Sequence, residues 1–181
     1  EELHRIIDSA YGDQWDTGEI TPVTKLGGNE YLLELYHGPT QAFKDIALQF
    51  LPRILSSYRQ PGETLRALGA SSGDTISAAH FGVGDVEGLQ SCFLLPKSGP
   101  SEIQELQATA HGFRNAITIL INGNFDAGQK VIKEILTNPK YAKMKEDNNF
   151  ISFNSINIAR IMAQIVYYFY AYLKLVRRNV I

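Results

Sequence analysis

The run Glu34-Leu35-Tyr36-His37-Gly38-Pro39-Thr40-Gln41-Ala42-Phe43-Lys44-Asp45 passes from a strand through a turn into a helix. The apolar, aromatic segment Leu32–Tyr36 reads as a strand, and Gly38-Pro39 as the turn that ends it. Thr40 is placed as an N-cap for a helix spanning Ala42–Tyr58. Lys44 then falls in a first helical turn just past a strand's carboxyl end, which is where open α/β sheets bind ligands. An amine there is a candidate for Schiff-base formation with an aldehyde and for later service as a base. A lysine in a first turn is otherwise only a solvated charge, and spacing alone does not choose between the two.

Outward from this run, β-rich segments alternate with helical ones. Leu65–Gly69, Gln90–Leu95, Ala116–Ile121 and the short Phe150–Phe153 read as further strands. Thr75–Val83, Ser101–Ala110, Phe125–Leu136 and Ile156–Val176 read as helices. Alternation at this spacing predicts βαβ units, hence an α/β fold with a mostly parallel sheet flanked by helices. Pro52 lies inside the pattern Ala42–Tyr58, where it removes a hydrogen bond, so a kink or a second helix start is expected there. In the last helix Ile158, Ile161, Met162, Ile165, Val166, Phe169 and Leu173 recur at three- and four-residue steps, with tyrosines at 167, 168, 170 and 172. That pattern predicts a core helix with tyrosine rims, or else one at an interface. Residues 137–149, rich in lysine and bearing Pro139, read as a surface excursion.

Composition narrows the classes. The chain has 181 residues, 44% hydrophobic and 20% charged, with a formal net charge of -2. Mixed charges build no single-sign field, which argues against nucleic acid or an anionic membrane as partner. No apolar run approaches the roughly 20 residues of a membrane span. The single cysteine, Cys92, sits in an apolar run and reads as a buried free thiol. His4, His37, His80 and His111 are scattered, so no metal site is predicted. The start Glu1-Glu2-Leu3-His4-Arg5, which is no signal peptide, and the end Asn179-Val180-Ile181 read as those of a processed, trimmed or partial chain.

His37-Gly38-Pro39-Thr40 with Ala42-Phe43-Lys44-Asp45 resembles the cofactor-lysine motif of the threonine synthases, pyridoxal-phosphate enzymes of the tryptophan synthase β-subunit-like fold type II. Four more segments resemble that family in the same order. They are Ser71-Ser72-Gly73-Asp74-Thr75; Leu95-Pro96 with Gly99-Pro100-Ser101-Glu102-Ile103-Gln104; Gly123-Asn124-Phe125-Asp126 with Gln129; and Asn154-Ser155-Ile156-Asn157 with Arg160. Together they span most of residues 19–173. The resemblance implies pyridoxal 5′-phosphate (PLP) held as a Schiff base on Lys44, next to Phe43. It implies O-phospho-L-homoserine as the small-molecule substrate, threonine and phosphate as products, and a cytoplasmic lyase of amino-acid biosynthesis. Residues 1–30 would be a helical lead-in and residues 31–181 part of the PLP-binding α/β region.

For the substrate, Ser71, Ser72, Asp74 and Thr75 would form an anion-binding turn at a helix N-terminus. Asn154, Ser155, Asn157 and Arg160 would hold its phosphate, Arg160 bidentately. Each group also reads as ordinary helix capping. The sequence departs from the family at Ile76, where the motif continues with glycine; a β-branched side chain there is expected to crowd the ligand or shift the helix start. The family's glycine-rich phosphate loop would follow the last helix, beyond Ile181, so tight PLP binding by these residues alone is not expected. Two further readings stay open: a related PLP-dependent dehydratase or lyase, and a non-catalytic threonine-synthase-like domain.

Overall fold

The computed structural model describes residues 1–154 and 157–180. A helix α1 (Glu2–Ala10) leads to strands β1 (Val23–Gly27) and β2 (Glu30–Leu33), then to α2 (Lys44–Tyr58). Strands β3 (Leu65–Ala70), β4 (Leu89–Pro96), β5 (Ala116–Ile121) and β6 (Phe150–Ser152) alternate with α3 (Asp74–Val83), α4 (Glu102–Thr109), α5 (Phe125–Thr137) and α6 (Ala142–Asn148). The final helix is α7 (Ile158–Arg177). The fold is α/β, with a four-stranded, wholly parallel sheet in the order β5-β4-β3-β6. Among the described residues no helix is long and apolar enough to cross a membrane.

The strand expected at Leu32–Tyr36 is not part of that sheet. Glu30–Leu33 pairs antiparallel with Val23–Gly27 in a separate hairpin that spans residue 30. Residues 34–37 are extended but unpaired in any sheet. Alternation of apolar residues shows that a segment is extended and half-buried; it does not say which strand it will pair with.

Successive strands β3, β4 and β5 step one way across the sheet, and β6 returns to the far side of β3. Right-handed crossovers place the helices of the outward run on one face and those of the return on the other. The packing follows this. On β4, Phe93 meets His80 of α3 edge-on at 5.5 Å. The next residue, Leu94, points oppositely, with Gly128 of α5 against it and against Ala70. The main core lies between α2, α3, α4 and the sheet, around Leu48, Leu51, Ile76, Val83, Phe93, Leu95 and Phe153.

Pro52 neither breaks α2 nor starts a new helix. Its missing N–H leaves the Leu48 carbonyl without its usual donor, and Gly82 of α3 lies directly against that oxygen, where any Cβ would overlap it. The two helices pack closely because one lacks a donor and the other a side chain.

The last helix corrects the core-helix expectation. Only Arg160, Ala163 and Tyr167, spaced three and four apart, are buried. Met162, Val166, Phe169 and Tyr172 are all more than half exposed. The periodicity marked the helix correctly, but the described residues supply a partner to one stripe only. The lysine-rich segment 137–149 lies at the surface as expected, with no buried residue, and is shaped as a 3-10 turn (Pro139–Tyr141) followed by α6. Cys92, expected to be buried, is half-buried.

Candidate functional site

The reversal of strand order falls between β3 and β6, and ligands bind beyond the carboxyl ends of strands at such a switch point. A cavity of about 560 Å³ opens there. Its walls include Ser71 and Thr75 after β3, Asn154 after β6, Gln129 and Lys133 on α5, and Arg160 on α7.

Arg160 is 4% exposed, and its Nη1 donates to the Phe153 carbonyl at 3.0 Å. Its Nε has no hydrogen-bond partner, and among the described residues no carboxylate lies within ion-pair distance of the guanidinium. Burial pushes its pKa down. A desolvated cation short of partners on a cavity wall is electrostatically unsatisfied, and an anion with several oxygens would complete it. Asn157 supports the same helix start: its side-chain oxygen accepts from the N–H groups of Ala159 and Arg160, and its amide donates to Ser152. It caps α7 and does not line the cavity. Ser155, also expected at the phosphate, lies outside the described residues.

Lys44 stands on the other side of the Ser71–Thr75 turn and does not line that cavity. It is the first residue of α2, and its Nζ donates to Asp74 Oδ2 at 2.9 Å. The Phe43 ring lies below the same amine, 5.2 Å from it. Asp74, read from sequence as a substrate contact, is therefore the lysine's ion-pair partner. Bonds from Lys44 and Gln104 hold its carboxyl below the usual range. Ser72 is exposed and, like Asp74, lies off the cavity wall.

Thr40 is not the N-cap. The helix starts four residues later, and Asp45 reaches back to accept from the Thr40 N–H at 2.8 Å and from its hydroxyl at 2.7 Å. Gly38 is required by this arrangement, since a Cβ there would stand 2.6 Å from the Asp45 side chain. Desolvation raises the pKa of the buried Asp45 despite these bonds. His37 is clasped between Asp16 at 2.7 Å and Glu34 at 2.6 Å, which push its pKa up; it braces the turn from outside.

Ile76 neither crowds the cavity nor displaces the helix. The helix begins at Asp74, and Ile76 is fully buried in the main core. In the first turn of a helix, residue 76 points away from the side that residue 75 presents to the cavity.

No protein-family model matches the chain. Among curated proteins, the threonine synthase of Pseudomonas aeruginosa is 41% identical over 175 residues, covering 96% of this chain and 36% of that protein. A solved structure described as PLP-bound threonine synthase from Brucella melitensis superposes with a TM-score of 0.87 at 38% identity, covering 96% of this chain and 37% of the other. Over nearly all of its length the chain is similar to one segment of the threonine synthases. Mouse threonine synthase-like 1 is 34% identical over 187 residues, covering 99% of this chain and 25% of that protein. The chain thus spans about a third or less of the length of these curated relatives. Within this threonine-synthase-like segment, sequence reading singled out Gln104 and Gln129 only as matched motif positions and gave neither a role. Lys133, also on the cavity wall, is an exposed lysine in an amphipathic helix, and such a residue carries no signal of its own in the sequence.

Proposed function

We propose that this chain is the cofactor-lysine segment of a PLP-dependent threonine synthase acting on O-phospho-L-homoserine, with residues 31–181 as the cofactor-carrying region and residues 1–30 as its lead-in. The observation that carries the reading is the Lys44–Asp74 contact. It sets a primary amine on the same turn whose other side, through Ser71 and Thr75, walls a cavity holding a partner-short arginine. The residues present fit the reactive end of PLP: Lys44 as the covalent anchor, one fifth exposed and so reachable, and Phe43 as an apolar face beside it. When bound, the cofactor supplies an electron sink for charge developing at the substrate carbons.

The chain's own residues would do the remaining work. Arg160, Asn154 and Thr75 bind an anionic group of the substrate, with the α3 N-terminus adding its partial positive charge. Lys44, with its amine free, takes protons from Cα and Cβ of the substrate and returns protons at Cγ and Cα. Phosphate departs from Cγ and water adds at Cβ. Ile76, which departs from the family motif, is buried in the core rather than on the cavity wall, and this supports the reading.

Borohydride reduction after adding PLP, followed by peptide mapping, tests the anchor. Label is expected on Lys44; label on another lysine refutes the assignment. In the protein at its natural length, Lys44→Ala is expected to lower phosphate release from O-phospho-L-homoserine by at least about a hundredfold, and an unchanged rate would refute the mechanism.

A further inference from the structure

Three helix N-termini meet at the Lys44 amine, and one side chain ties two of them together. Gln104 is the third residue of α4, where it completes a capping box: Ser101 Oγ accepts from its backbone N–H, and its Oε1 accepts from the Ser101 N–H at 2.9 Å. Its amide nitrogen then donates to Asp74 Oδ1 at 2.6 Å, while Asp74 Oδ2 accepts from Lys44. The turn is shaped for this reach. Gly73 has φ +150°, and a Cβ there would stand 2.8 Å from the Gln104 side chain. A capping glutamine needs only its own helix; this one also spends its free donor on a carboxylate thirty residues away that holds the lysine.

We propose that Asp74 and Gln104 are positioning residues that clamp the Lys44 amine and set how readily it is released to an aldehyde. This rests on the reading of Lys44 as the carbonyl-binding lysine. Release means that Nζ gives a proton to solvent, breaks its bond to Asp74 and directs its lone pair at the aldehyde carbon, with water leaving as the C=N bond forms. The clamp opposes the first two events. Gln104 fixes the Asp74 carboxylate in the rotamer that faces the lysine and satisfies the oxygen that the lysine does not use.

The test uses formaldehyde with cyanoborohydride as hydride donor, scoring methylation of Lys44 by peptide mapping at early times, with the exposed Lys130 as internal reference. Asp74→Asn is expected to speed Lys44 methylation about two- to fivefold, the range for a partly exposed ion pair. Asp74→Glu, which keeps the charge, is expected to restore a rate near that of the parent chain. Gln104→Glu, which puts a carboxylate oxygen against Asp74 Oδ1 where the amide donor stood, is expected to loosen the clamp and speed methylation by a similar factor. If Gln104 is only a cap, Gln104→Glu is silent, since glutamate serves the capping box equally well. Unchanged Lys44 rates in both Asp74→Asn and Gln104→Glu, or slower methylation in Gln104→Glu, overturn the proposal. A failure of the cofactor reading looks different: PLP would label another lysine while the formaldehyde rates still shift. Far-UV circular dichroism and a cooperative melt confirm that each variant is folded before rates are compared.

Discussion

His80 makes the stability of this fold depend on pH in a way that can be worked out atom by atom. The imidazole is fully buried, with Nδ1 2.7 Å from Ser91 Oγ and Nε2 2.8 Å from Thr118 Oγ1. Thr118 already donates its hydroxyl proton to the Ala108 carbonyl at 2.6 Å, so towards His80 it can only accept. Nε2 therefore carries the proton, and Ser91 donates to Nδ1. A second proton on Nδ1 would force the Ser91 hydroxyl to turn its own proton away, and burial together with the nearby His111 pushes the pKa down to about 3 from an ordinary 6.5. The folded state thus stays neutral where the unfolded chain takes up a proton. The network's contribution is whole above pH 6.5 and is lost as pH falls towards 3. Between pH 7 and pH 5 the loss is about 2 kcal/mol, and this barely changes if the folded value is a unit higher. Urea denaturation at the two pH values, for the parent chain and for His80→Gln, isolates the effect. The variant is expected to be less stable at pH 7 but to lose about 2 kcal/mol less on acidification. Equal pH dependence in both proteins would refute the neutral-histidine network.

Two further substitutions test the joints that hold the site. Gly82→Ala drives a methyl into the Leu48 carbonyl, a backbone atom that cannot swing aside; a loss of about 3 kcal/mol or more in denaturant titration is expected, at the upper end for overpacking. Asp45→Ala leaves the buried Thr40 N–H and hydroxyl without their acceptor; it should cost about 2–3 kcal/mol and expose residues 38–43 to limited proteolysis, whereas stability within 0.5 kcal/mol of the parent would show that the turn holds itself.

The parallel sheet was legible because its strands and helices are each written in local pattern. β3, β4 and β5 are short apolar runs, the helix α4 begins at the capping Ser101, and the spacing admits only crossover connections. What failed was information that no local pattern carries. Leu32 and Leu33 are strand-like, but their partner is the hairpin strand before them rather than β3. Pro52 argues against a continuous helix until Gly82, thirty residues on, is known to face the carbonyl it exposes. The apolar girth of α7 predicted burial on most sides, and the described residues cover one stripe of it.

The site was legible as a set of segments and opaque as a set of bonds. Ser71, Thr75, Asn154 and Arg160 do meet at one cavity, because each follows or faces the carboxyl end of a strand next to the switch point, and topology alone brings such ends together. Asp74 shows where that logic stops. As a helix N-terminal residue beside serines it reads as part of an anion site, yet a carboxylate is the one side chain in the turn that repels an anion. In the structure it is paired with a cation, the amine of Lys44. The same turn therefore carries two opposite electrostatic faces. Ser71 and Thr75, with Arg160 beyond them, face a cavity suited to negative charge, and Asp74 holds a positive one on the other side.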